Sequence, residues 1–238
     1  RFQDPARAQP LCYSPYTKNE TATMKKGDLL ILLIIILMLG LMLSPWTSET
    51  FNSLSLHYPY YIGFLKFAIL ATIGEVLAGR IKAQRYTCPT YLWVRIVIWG
   101  IVGILIVFNF GLYEAGIRGI IARGLLPDID SSVYTALLIS SAMNLTFGPA
   151  FMAAHRISDT YLENKATGRG GSIRLAVERV DWNRFMTFVV GKTIPFFWIP
   201  AHTVTFLLPP EYRVFVAALL SIALGLILAL ASSRHAKA

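Results

Sequence analysis

Ionisable and amide side chains set inside long apolar runs are the first feature of this chain that bears on chemistry. They are Lys66, Glu75, Arg95, Glu114, Lys192 and His202, with Asn109 and Asn144 as uncharged partners. At the centre of a membrane helix an ionisable group costs roughly 2.5–3.5 kcal/mol, so such groups turn toward each other or toward a wet cavity. Turned inward, Glu75, Asn109, Asn144, Lys192 and His202 would line a passage whose mixed-sign polar groups lower the barrier for hydrated solutes. Lacking a ring of one charge, such a passage would discriminate poorly between ions. His155, Asp159 and Glu163 suggest a different chemistry. Spaced four apart, they share a helix face, as an acid–base pair or weak metal site acting on a lipid or isoprenoid would need, with His202 as the other candidate histidine. Charge pairing at a helix end with Arg156 is the competing explanation.

Spacing limits which of these groups can meet. Lys66 and Glu75 are nine positions apart, about 180° round an ideal helix, so each needs a partner on another helix or access to the interface. Arg95 and Asn109 are fourteen apart and return within about 40°, which allows one polar stripe. Arg95 is close to its helix end and is read as snorkelling to head groups. Lys192 and His202 are read as facing the interior.

The elements that must hold these groups are membrane helices. Hydrophobic residues make up 55% of the 238 and charged ones only 15%, and at roughly 20 residues per span about six crossings take up nearly the whole chain. The expected fold is therefore all-α, a single polytopic bundle over residues 24–238 with spans near 29–46, 61–79, 93–113, 133–154, 185–208 and 214–231. Pro149 in the fourth span and Pro195 and Pro200 in the fifth are expected to bend their helices, because each withholds a backbone N–H. Residues 1–23 are polar, without periodicity, and are read as a disordered or extraneous extension ahead of Met24. A lysine-led apolar run also begins signal peptides, but no small-x-small cleavage site follows Leu43, so an uncleaved first span is expected.

Basic residues alternate between loops. Lys25 and Lys26, then Arg80, Lys82 and Arg85, then the arginines of 156–184, then Arg234 and Lys237 fall on one side, against Arg118, Arg123 and Arg213 on the other. The excess marks the cytoplasmic side and puts both termini there. The net charge of +9 is scattered over these loops rather than gathered on one face, which argues against nucleic acid. Cys12 and Cys88 form no CxxC pair, and no metal or redox centre is expected. In the longest loop, Thr167-Gly168-Arg169-Gly170-Gly171-Ser172 lacks a phosphate-binding pattern and is read as a turn into an interfacial helix over Ile173 to Val180.

Val180-Asp181-Trp182, the run Ile199-Pro200-Ala201-His202-Thr203-Val204-Thr205-Phe206-Leu207-Leu208-Pro209 and Glu211-Tyr212-Arg213 carry a resemblance. Together they resemble the C-terminal signature of the Mpv-seventeen/peroxisomal membrane protein family, with Trp182, Pro209 and Arg213 as signature positions. Ile73-Gly74-Glu75 resembles that family's Gly-Asp, and Phe110-Gly111-Leu112-Tyr113 falls where the family has a Tyr-terminated motif. The chain departs in having Glu for Asp, no Gly-Pro or His before Tyr113, and an extra first span, as a distant bacterial relative would. The resemblance implies a small helical membrane protein, in the plasma membrane if bacterial or an organelle membrane if eukaryotic, acting as a weakly selective channel.

Three functions are thus expected in order: a channel or pore for small polar solutes, a membrane scaffold without transport, and a lipid-modifying enzyme. The scaffold reading uses the small residues Ala217, Ala218, Ala223 and Gly225 as a close-packing face. Expected partners are the lipid bilayer, small solutes and further copies of the chain in a homo-oligomer, with no cofactor.

Overall fold

The computed structural model describes residues 26–235, apart from Gln84 and Thr87, and every regular element among them is helical. The segment expected to be disordered, residues 1–23, lies outside the described residues, as do Lys25 and Lys237. Helix α1, Lys26–Leu43, ends just before Pro45, and the chain turns by 88° into α2, Ser48–His57. Thr47 Oγ1 donates to the Leu41 carbonyl at 2.7 Å, closing a carbonyl that the break leaves open. Then follow α3, Pro59–Ala83, α4, Leu92–Ala122, α5, Ser132–Ala166, and the short α6, Ile173–Arg179, and α7, Trp182–Arg184. A π-helical segment, Phe185–Trp198, leads into α8, Ile199–Phe206, and α9, Pro210–His235, closes the bundle.

Among the described residues four helices are long and apolar enough to cross a bilayer: Pro59–Ile81, Leu92–Ala122, Ser132–Ala166 and Pro210–Ile227. A fifth crossing results if α1 and α2 form one broken span, so there are four to five where six were expected. The two expected spans that fall short are the ones containing breaks. The first, 29–46, meets Pro45; the other, 185–208, contains Pro195 and Pro200, whose missing N–H groups prevent an unbroken α ladder. Its winding loosens to i→i+5 over fourteen residues, and the Ile199 N–H reaches the Ile194 carbonyl. Pro149, by contrast, does not break its helix: α5 runs uninterrupted through it. An interior proline is tolerated where packed neighbours support the freed carbonyl, and Gly148 leaves room beside it for Ile194 of the π segment.

The core is centred on α3, which packs against both α4 and α9. Phe67, Leu70, Ile106, Phe110, Ile139, Met143, Phe206 and Phe215 are buried there, while Leu37, Leu65, Phe108, Leu145 and Phe196 point outward as lipid-facing side chains would. Close approach depends on glycine. A methyl built on Gly103 of α4 would fall on the Gly63 carbonyl of α3, and one on Gly74 would meet the Ile222 Cα of α9 at 3.1 Å. Ala217 and Ala218 are buried in the core, and Gly225 lies over Gly74 and Ala78, so the small-residue face offered above to a partner helix is used within the chain.

At one end Arg80 Nη2 and the Tyr86 hydroxyl hold the two oxygens of Asp28 at 2.6 and 2.5 Å, tying α1 to the turn after α3. Burial and the Asp28 hydrogen bond push the Tyr86 hydroxyl up to about 12, so it remains a donor through the neutral range. The 31 residues of α4 and 35 of α5 reach roughly 46 and 52 Å, more than the ~30 Å of hydrocarbon, so these helices tilt or their ends stand clear. That extra length puts His155, Asp159 and Glu163 on the same helix as Asn144.

Candidate functional site

Within the bundle, α5 presents Ser140, Asn144 and, eleven residues further on, His155, all within about 60° of helix rotation. Asn144 Nδ2 lies 2.9 Å from the Ser140 carbonyl and 3.0 Å from His202 Nδ1, and Ser140 Oγ donates to the Ile199 carbonyl at 2.8 Å. The Ser140 bond matters locally, because Ile199 sits at the junction where the π segment becomes α8 and its carbonyl lies just ahead of Pro200. His202 is 6% exposed and Asn144 4%. The imidazole is held between the Trp198 ring, stacked at 5.1 Å, and the edge of Phe110 at 5.7 Å. Trp198 Nε1 is buried with no hydrogen-bond partner among the described residues.

Toward the α5 C-terminus lies a charged network. Arg95 Nη1 binds Glu75 Oε1 and, at 3.0 Å, Asp159 Oδ1, while Trp99 Nε1 donates to Glu75 Oε2 at 3.1 Å. His155 Nε2 is 3.4 Å from Asp159 Oδ2 and its ring packs 4.5 Å from that of Trp99. Three helices are thereby joined through one guanidinium. Arg95 does not snorkel: its side chain is 11% exposed and turned inward, because two carboxylates on neighbouring helices compete successfully with the head groups. Glu163 is exposed, so only two members of the expected acid–base row meet. Among the described residues no three His, Cys, Asp or Glu side chains are grouped to hold a metal ion.

The opposite end carries a second network and two cavities. Lys66, 3% exposed, donates to Ser55 Oγ at 3.1 Å and the Glu211 carbonyl at 3.3 Å and lies 4.6 Å from the Phe51 ring. Glu114 joins two arginines, Arg118 at 3.0 Å and Arg213 at 2.5 Å. A cavity of about 190 Å³ is bordered by Lys66, Phe110, Glu114 and Arg213, and another of about 270 Å³ by Arg118, Thr135, Phe206 and Arg213. Phe110 and Phe206 touch with ring centres 4.9 Å apart, and Phe110 also contacts His202. Phe110 thus borders the first cavity and Phe206 the second, and His202 lies against Phe110.

Of the residues read from sequence as lining a passage, Asn144 and His202 meet directly. Glu75 sits in the charged network at one end. Asn109 is buried but bonds to its own helix, at the Leu105 carbonyl, 2.8 Å away. Lys192 is a correction: it is exposed, with no ion pair or hydrogen bond among the described residues. Ten residues already place Lys192 about 80° from His202 round a regular α-helix, and the wider period of the π segment carries it further from that face. The signature positions lie apart from the pair. Trp182 donates to the Val177 carbonyl at 2.9 Å, Pro209 is exposed at the α8–α9 corner, and Arg213 is buried beside Glu114. Sequence reasoning passed over Ser140, Trp99 and Phe206. The first two stand four residues from Asn144 and Arg95, a helical spacing that would have found them. Comparison with protein-family models, characterised proteins and solved structures finds no match for this chain.

Proposed function

We propose that the protein is a weakly selective passage for small polar solutes, running between α4, α5 and α8 and closed at rest by the Phe110–Phe206 ring pair as a seal. The observation that carries this reading is the Asn144–His202 pair, buried at mid-bundle between the Phe110 ring and a charged network. A core serving packing alone would be apolar at that depth, since polar groups there are costly and need partners. Trp198 Nε1, buried without a partner among the described residues, adds a donor that a passing water or hydroxyl would satisfy. The two cavities supply a vestibule, and paired aromatic rings suit a gate that works by excluding water. The resemblance noted over the last third of the chain agrees with this reading.

The test is solute flux into reconstituted vesicles. Wild-type protein is expected to admit small uncharged polar solutes faster than empty vesicles do. Phe110→Leu, which removes a ring from the seal, should raise the rate about tenfold, and Asn144→Leu should lower it by a similar factor. Flux equal to that of empty vesicles for wild type and Phe110→Leu, with both proteins folded, would sink the reading.

The charge alternation supports arginine-rich turns on the cytoplasmic side. Cys88 is exposed and unpaired, which makes it a reporter once Cys12 is replaced by serine. A membrane-impermeant maleimide should label it in inside-out vesicles and leave it untouched in intact cells; labelling of intact cells would reverse the orientation.

A further inference from the structure

We propose that the cavity of about 270 Å³ beside Arg118 and Arg213 is a binding site for a phosphate-type oxyanion. Its polar wall consists of these two guanidiniums with Ser132 and Thr135, its apolar wall includes Ile139 and Phe206, and no carboxylate lines it. Glu114 stands behind the arginines and is shared: its Oε1 takes Nε and Nη2 of Arg118 at 3.2 and 3.0 Å, and its Oε2 takes Nη1 of Arg213 at 2.5 Å. One carboxylate therefore serves two permanent positive charges, one of them on a side chain only 10% exposed. The other, Arg118, is 62% exposed, so the surplus charge stands at the mouth of the cavity, where an anion can reach it.

The donors agree with the charge. Each guanidinium has five N–H groups, and beyond Glu114 the only further acceptor for Arg213 among the described residues is the Leu208 carbonyl at 2.8 Å. The remaining N–H groups make no hydrogen bond to a described residue, and their forked geometry matches a tetrahedral oxyanion. The Thr135 and Ser132 hydroxyls stand on the first turn of α5, whose N-terminal dipole also favours negative charge. With a water occupying ~30 Å³, the space equals about nine waters, enough for a phosphate and part of whatever bears it. The apolar wall at Ile139 and Phe206 would take an organic or acyl portion. That oxyanion has two sources, phosphate free in solution or the head group of an anionic lipid, and the site stands whether or not solutes traverse the bundle.

The full chain, purified in neutral detergent, would be titrated with inorganic phosphate by calorimetry. In parallel it would be placed in nanodiscs of phosphatidylcholine with or without phosphatidylglycerol, and lipids retained after re-extraction would be weighed by native mass spectrometry. Arg118→Gln and Thr135→Val are the test variants, chosen because Arg118 is the more exposed arginine and its loss leaves the Arg213–Glu114 pair intact. Arg123→Gln, an exposed arginine outside the cavity, controls for general charge. Saturable phosphate binding weakened at least tenfold by Arg118→Gln and at least threefold by Thr135→Val, but not by Arg123→Gln, supports the site with a soluble ligand. Retention of phosphatidylglycerol that both test variants abolish and Arg123→Gln preserves supports it with a lipid ligand. No binding in either arm, or equal losses for Arg118→Gln and Arg123→Gln, overturns it.

Discussion

Arg95→Leu is expected to destabilise the protein by about 2–3 kcal/mol, the largest effect of any single polar substitution considered. Removing one partner of an inward-turned ion pair leaves the other charges unpaired, and with Glu75 27% and Asp159 31% exposed that penalty stands below the one for a fully buried pair. Here the penalty is doubled in kind, because Glu75 and Asp159 both depend on the same Nη1 and would be left facing each other across the α3–α4–α5 junction. Trp99 and His155, which hold the outer oxygens of the two carboxylates, cannot supply a permanent positive charge. Thermal unfolding in detergent, with tryptophan fluorescence as the readout, measures the loss. Adding Glu75→Gln and Asp159→Asn to Arg95→Leu should recover much of it, since neutral amides need no counter-charge. If Arg95→Leu unfolds at the wild-type temperature, the network is a surface feature and the inward placement of Arg95 is wrong.

Gly103→Ala should be nearly as damaging although it adds one methyl group. Overpacking a well-fitted core generally costs about 1–3 kcal/mol, and the upper part of that range applies when the obstacle is backbone that cannot rotate aside. The new methyl would fall on the Gly63 carbonyl oxygen, and Phe67 Cβ stands behind it at 2.9 Å, so α3 and α4 must separate along their most intimate contact. Gly111 and Gly116 on the same helix have nothing within 4 Å of a built methyl. Replacing either with alanine should therefore be neutral or stabilise by up to about 1 kcal/mol through helix propensity. Equal unfolding temperatures for Gly103→Ala and Gly111→Ala would refute the close α3–α4 packing.

Much of the architecture is legible without coordinates because hydropathy is additive along a helix. The stretches around α3, α4, α5 and α9 are long and apolar enough that no arrangement of their neighbours is needed to recognise them, and Asn144 and His202 stand out within apolar surroundings for the same reason. Facing is harder to read. Helix α1 is apolar around nearly its whole circumference and α4 carries only sparse polar residues, so the 3.6-residue period gives a weak preferred side, and the rotation that buries Arg95 follows from carboxylates supplied by α3 and α5.

The chain's own residues decide that it forms apolar helices and that a few costly hydrophilic groups must find company. Which company they find belongs to the tertiary structure. Lys192 turned outward while His202 met Asn144, and one arginine drew together acids far apart in the chain. Local composition sets the cost of exposing a group to lipid, but only the packed neighbours offer the partner that offsets it.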